Sequence, residues 1–337
     1  MKKIFNLIVS FVLLAGFSAC NKDGSDKPGL PPAPVPTVNY KGLTFISSGK
    51  STVCLAKVGA PDEITLEYST DESQWNPYTL GEKISLADGT FLLFRAGEQK
   101  NLTFSKGSDS YYHFEISCPV TAQGNIMSLL DRDFSTPLST NAFFALFEGC
   151  KSLLSAPELP ATTMAQGCYF RMFAECTGLT SAPELPAEAL AYNCYGRMFK
   201  GCSALTYVPD LPATKMEAYC YNSMFANCTS LKFAPELPAT RLDTGCYHCM
   251  FEGCTSLTSA PELPATELVS NCYEFMYKDC RNLRYVIGLF TTEPSKKTTE
   301  DWLSGVAASG TFIKSEKATW DVTGAHGVPE GWKIETW

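Results

Sequence analysis

The sequence predicts a multidomain α+β protein. A small all-β sandwich comes first, then an αβ solenoid of 26-residue repeats, then a C-terminal cap. Three observations carry this. Strand-like runs alternate with turns from Val38 to Pro119. Near-copies of one sentence then begin at Gly149, Glu175, Gly201, Asn227 and Gly253, with a broken copy at Asp279. From Thr291 onward the period lapses. A fixed period of this length signals stacked units, because one unit cannot bury its apolar face alone.

The first 19 residues form a lipoprotein signal peptide. Lys2 and Lys3 are its charged start, and Ile4 to Gly16 its apolar stretch, too short to span a bilayer. Ser18-Ala19 precede Cys20, as at a lipoprotein cleavage site, so Cys20 is the expected lipidation site. Residues 20–37 are polar and then Pro-rich, a composition that stays extended as a surface linker. Lys22-Asp23 resembles the acidic export signal of surface lipoproteins in Bacteroidetes-type bacteria.

Residues 38–120 are expected to form the β-sandwich-like domain. GLTFIS, STVCLAKV, ITLEYST, EKISLA, TFLLFRAG, LTFSKG and YYHFEISC are short, alternating and separated by Gly, Asp and Ser. Tyr68 to Trp75 (YSTDESQW) resembles an Asp-box hairpin, one residue short, which implies a structural turn.

Residues 124–290 are the repeat array. In one repeat Leu190, Cys194, Tyr195, Met198 and Phe199 fall on a single helical stripe, and Gly201 follows as a C-cap. Leu205, Val208 and Leu211 then recur every third residue where Pro209 and Pro212 forbid helix and shorten any strand. The expected coil is a short strand, a Pro-fixed turn and a two-turn helix. Burying its five or six apolar side chains yields roughly 10 kcal/mol gross. Ordering the whole unit costs more, so coils depend on their neighbours.

The cysteines form two ladders: Cys150, Cys176, Cys202, Cys228, Cys254, Cys280, and Cys168, Cys194, Cys220, Cys246, Cys272. A periodic cysteine marks a small apolar residue at a buried position, although stacking could also bring equivalent thiols within bonding range. Cys246 and Cys249 flank His248 in the only C-x2-C spacing, and zinc needs two such elements or a well-spaced His partner. No metal or cofactor is expected. Cys54 and Cys118, outside the array, are the disulfide candidates.

CTSLTSAPELPATELVSNCYEFMYKDC, from Cys254, resembles the BspA-like leucine-rich repeat, with Met-Phe in place of Ala-Phe and a longer unit. The resemblance covers about half of the chain. It implies a leucine-rich-repeat-type αβ solenoid and a surface-exposed protein of Bacteroidetes type, some of whose relatives are adhesins. The cap, 291–337, is expected to hold a short helix with Thr299 as N-cap and two closing strands, GTFIK and GWKIETW.

The net charge of −8 without a basic patch argues against nucleic acid. Three histidines, His113, His248 and His326, lack a nucleophile context, and no GxSxG, HExxH or phosphate loop occurs. One carboxylate recurs per coil: Glu158, Glu184, Asp210, Glu236 and Glu262. Such a ladder either binds cations or keeps a turn solvated; it does not flank one bond as a glycosidase pair must. Two residues after the repeat Leu stand Ser155, Ser181, Tyr207, Phe233, Ser259 and Tyr285, which should face outward. Outward aromatics either meet a partner or pack on each other or on a neighbouring domain; on the first reading Tyr207, Phe233 and Tyr285, rimmed by Lys232 and Arg284, form the candidate binding face. The expected function is a non-catalytic, lipid-anchored outer-membrane protein, exposed at the cell surface and binding an extracellular or host protein. The alternative is a glycan-binding accessory lipoprotein of a polysaccharide-uptake system, using aromatics such as Trp75 and Tyr78. Contact with the membrane runs through the lipid anchor only.

Overall fold

A computed structural model describes residues 38–98, 100 and 103–337, all within one unit, Val35–Trp337. The signal peptide, Cys20 and the Pro-rich linker lie outside the described residues. The described chain is mostly β with few helices: β sheets at its N-terminal end, and a β-solenoid that is most regular at its C-terminal end.

The predicted N-terminal strands form. They are β1 (Thr44–Ser47), β2 (Ser51–Val58), β3 (Leu66–Ser69), β4 (Asn76–Pro77), β5 (Ile84–Leu86), β6 (Phe91–Ala96), β7 (Ser105–Gly107), β8 (Ser110–Ile116) and β9 (Val120–Gln123). One sheet runs β9-β1-β6-β3-β4, the other β5-β2-β8-β7. Phe45 of β1 meets Phe94 of β6 and Phe114 of β8 at 6.1 and 5.1 Å, all edge-on, which closes the sandwich. In the turn after β3 the Asp71 carboxylate accepts from the Ser73 and Gln74 N–H groups. Those two bonds hold its carboxyl below the usual range, and the Asp-box-like segment is a self-bonded turn.

The first repeat is tied to this sandwich. Its strand β10 (Leu153–Ser155) pairs parallel with β9 and becomes the sixth strand of the first sheet. Val120 N–H donates to Ser152 O, and Phe114 N–H to Leu146 O. The Phe114 ring stacks on Phe147 at 5.2 Å.

The two-turn helix expected in each repeat is absent, so the coils are not of the αβ leucine-rich-repeat type. Residues 193–202 show what replaces it. Asn193, Tyr195, Arg197, Phe199 and Gly201 donate their N–H groups to Ala218, Cys220, Asn222, Met224 and Ala226 of the next coil. The intervening Cys194, Gly196, Met198, Lys200 and Cys202 donate three residues back within their own coil. Every fourth residue is left-handed: Asn193 (φ 52), Arg197 (φ 55) and Gly201 (φ 77). A left-handed residue ends a right-handed helix, so the segment is a chain of four-residue turns hydrogen-bonded to its neighbours. Gly201 is therefore the third left-handed position of its coil rather than a helix C-cap.

The apolar spacing matches this geometry. Leu190, Cys194, Met198 and Cys202 recur every four residues. An α-helix drifts by about 40° per four residues, so such a stripe would wind off one face, whereas a four-residue turn keeps it in line. Phe147, Phe173, Phe199, Phe225, Phe251 and Tyr277 stack in one column at 5.3–5.7 Å. Tyr169, Tyr195, Tyr221, Tyr247 and Tyr273 form a second at 5.8–6.0 Å.

On the extended side Pro keeps pairing short. Ser181 with Tyr207 and Phe233 with Ser259 are single bridges. Full strands appear only towards the C-terminus: β11 (Ser259–Leu263), β12 (Tyr285–Gly288), β13 (Thr311–Lys314) and β14 (Lys333–Thr336), parallel and in that order. The tail thus supplies both expected strands. Its helix is α1 (Lys296–Thr299), capped by Ser295 and Thr298 rather than started by Thr299. Asp301 and Gly305 then repeat the left-handed turns, and Trp302 stacks on Tyr273 at 6.2 Å.

Candidate functional site

Within the extended segment, the inward positions are Leu205, Val208 and Leu211, at most 8 % exposed. The residue two after each repeat Leu points the other way. Tyr207 is 60 % exposed and Phe233 70 %, against 0–2 % for the stacked Tyr and Phe of the columns. Tyr285 is 39 % exposed, and Lys232 and Arg284 are exposed beside this row. Ser155, Ser181 and Ser259 occupy the same row at partial exposure.

The parallel register extends the row with residues that periodicity could not place. Tyr285 pairs with Thr311 and Ile287 with Ile313. Tyr285, Ile287, Ile313, Thr336 and Trp337 line a hollow of about 260 Å³, and Trp337 is 65 % exposed. The tail had left the repeat period, so its sequence carried no sign that Trp337 joins this face.

The array cysteines are buried free thiols. Cys176, Cys202, Cys228, Cys254 and Cys280 each donate S–H to a Phe carbonyl of the preceding coil at 3.0–3.2 Å. Burial pushes Cys254 and Cys272 up to about 12, which withholds the thiolate that nucleophilic or metal chemistry requires. Cys54 and Cys118 are also free, with Cys54 opposite Glu115 in the β2–β8 ladder.

His248 sits between Asn222, 2.8 Å from its Nδ1, and Glu274, 3.5 Å from its Nε2. Burial lowers its pKa, as does Arg197, against the pull of Glu252. Cys249 lies 3.8 Å from His248 Nε2, and burial first, then Glu252, pushes its thiol up to about 12. Cys246 is buried in the core. Among the described residues no group of three His, Cys, Asp or Glu is arranged to hold a metal ion.

Glu158, Glu184, Asp210 and Glu236 are exposed and Glu262 is half-buried. The Asp210 carboxylate accepts from Glu236 N–H at 3.2 Å, a link between coils. Tyr78 is buried, its hydroxyl accepting from Leu55 N–H and donating to Glu82 O. Trp75 lies between Tyr40 and the Arg95 guanidinium, 3.8 Å above its ring. Both rings named for a glycan platform on the sandwich are therefore occupied by packing. No helix among the described residues is long and apolar enough to cross a membrane. No family model, curated protein or solved structure matches the chain.

Proposed function

We propose that this protein is a lipid-anchored outer-membrane repeat protein, displayed at the cell surface, that binds an extracellular protein through its aromatic row without doing chemistry. The observation that carries the reading is the exposure of Tyr207 and Phe233, at 60 and 70 %, on a scaffold whose column rings are hidden. Rigid aromatics bring contact area at low entropic cost and dominate binding hot spots. Lys232 and Arg284 add a charged rim. The resemblance of the repeats to BspA-like surface proteins points the same way.

Anchoring rests on Cys20 behind its apolar leader. Cys20→Ala is expected to move the protein out of the membrane fraction; a variant that still sediments with membranes removes the anchor. Binding is tested by photo-crosslinking from position 259, which is bridged to Phe233, in intact cells, with the probe carried both by the parent chain and by the Tyr207→Ser/Phe233→Ser double variant. Serine is the residue of this row at Ser155, Ser181 and Ser259, so the variant should keep its melting temperature and lose the crosslinked partner. A partner retained at full yield would exclude this face.

A further inference from the structure

The turn side of the array holds a second hollow, of about 300 Å³, lined by Phe170, Tyr192, Asn193, Arg197, Tyr219 and Asn222. It lies at three interruptions: the Phe144–Phe170 stack ends, the Glu148–Arg171 pair is not repeated, and a left-handed column of Asn and Gly carries a tyrosine. In a third row Phe144 stacks on Phe170 at 5.4 Å, and the residues one and two coils on are Gly196 and Asn222. The far face of Phe170 therefore meets no ring. A Cβ on Gly196 would stand 2.9 Å from the Phe170 ring and collide with the Asn193 carboxamide oxygen. The glycine opens the floor.

The second interruption concerns charge. Arg171 is paired with Glu148 of the preceding coil. One coil on, the corresponding residues are Arg197 and Ala174. The acid is gone, and Arg197 has no ion-pair partner among the described residues. Its guanidinium lies 5.9 Å from the Phe170 ring centroid, at the mouth of the hollow.

The third interruption is conformational. Asn141, Gly167, Asn193, Gly245 and Asn271 hold the first left-handed position of their coils, as their small or self-bonding side chains allow. Tyr219 holds it in the middle coil at φ 56. A bulky residue there is strained, and such strain collects at sites that use the side chain. Tyr219 meets Tyr192 edge-on at 6.2 Å, and Tyr192 is 46 % exposed.

We infer that this hollow is a saccharide subsite that takes a sugar ring bearing a carboxylate, a hexuronic acid unit. The Phe170 face, which carries no second ring beyond Phe144, packs the C–H side of a pyranose. The unpaired Arg197 fork matches a carboxylate in bidentate fashion. Asn193 supplies a carboxamide for ring hydroxyls, and Asn222, whose carboxamide already meets His248 Nδ1 and accepts from Ser223 Oγ, keeps one N–H to donate. The volume, at the lower end for ligand sites, suits one sugar unit of a chain that runs on through the open mouth. The site lies on the turn segment and is independent of the aromatic row at Tyr207 and Phe233.

The test is calorimetric titration of the full chain with two probes, a galacturonate trimer and a hyaluronan tetrasaccharide. At least one should bind saturably at millimolar concentration, and its carboxyl methyl ester should bind about tenfold more weakly. Arg197→Gln and Tyr192→Ala, both exposed, should each weaken binding about tenfold with unchanged melting. Gly196→Phe, whose side chain would displace Asn193 and crowd Phe170, should abolish it. Tyr207→Ser/Phe233→Ser should leave it intact. Failure of both probes to bind, equal binding of the ester, or full affinity in Arg197→Gln and Tyr192→Ala would overturn the assignment.

Discussion

At the residue scale, the stacked columns bury groups that must stay neutral. The hydroxyls of Tyr169, Tyr195 and Tyr277 are buried and reach no hydrogen-bond partner. An unmet buried hydroxyl costs about 1–3 kcal/mol. Tyr195→Phe is therefore expected to be neutral or to stabilise by about 1 kcal/mol, read from urea midpoints; a loss of that size would mean that the hydroxyl is satisfied. The thiols make a pH prediction. An exposed thiol in the unfolded chain ionises near 8.5, while burial holds Cys150, Cys168, Cys254 and Cys272 at about 12. Between those values the unfolded chain gives up protons that the native protein keeps. The thiols add no pH dependence below about 8.5, and their contribution falls as pH rises from about 9 to 12, by at most about 1.4 kcal/mol per pH unit for each thiol. Denaturant midpoints measured from pH 7 to 11 should show the decline, and Cys254→Ala should make it shallower.

At the element scale, the unit of this array is the four-residue turn, and its left-handed corner sets what each position tolerates. Gly201, at φ 77, faces the Glu175 carboxylate, 2.6 Å from where a Cβ would stand. Gly201→Ala should cost about 1–3 kcal/mol by combining a left-handed backbone with that contact. Tyr219→Asn is expected to act in the opposite direction. Asparagine is the residue of its column at Asn141, Asn193 and Asn271, so the change should raise stability by about 1 kcal/mol while weakening the sugar site. Gain of stability with loss of binding is the pairing expected of strain kept for function. A destabilised Tyr219→Asn protein would show that the ring serves packing instead.

At the scale of the whole molecule, sandwich and solenoid share one core. The Phe114–Phe147 stack, the β9–β10 pairing and the Cys150 thiol donating to Phe114 O at 2.9 Å join them. A fragment of residues 38–123 would leave the Phe104, Phe114 and Val120 N–H groups without their acceptors in the first coil, and the Phe114 face bare. It is expected to be unfolded or aggregated by circular dichroism, whereas residues 38–337 melt in one transition. A cooperatively folded fragment would show that the joint contributes little.

The sequence by itself determined the repeat length, both cysteine ladders, the inward leucines and the outward row at Tyr207, Phe233 and Tyr285, because each depends on periodicity alone. It also marked most strands of the sandwich, where alternation and turn residues agree. It could not separate an α-helix from consecutive four-residue turns. Leu190, Cys194, Met198 and Cys202 suit either at short length, and the choice rests on hydrogen bonds to a neighbouring coil. Only the tertiary structure buried Tyr78, carried Trp337 to the aromatic row and set Phe170, Arg197 and Tyr219 around one hollow. Those placements depend on which residue of the next coil stands above a given one. The end of the Phe144–Phe170 stack at Gly196, the alanine at Ala174 where Glu148 had paired, and the tyrosine at Tyr219 are all visible in the aligned repeats. They become a site only when stacking sets the missing ring, the missing acid and the strained tyrosine side by side.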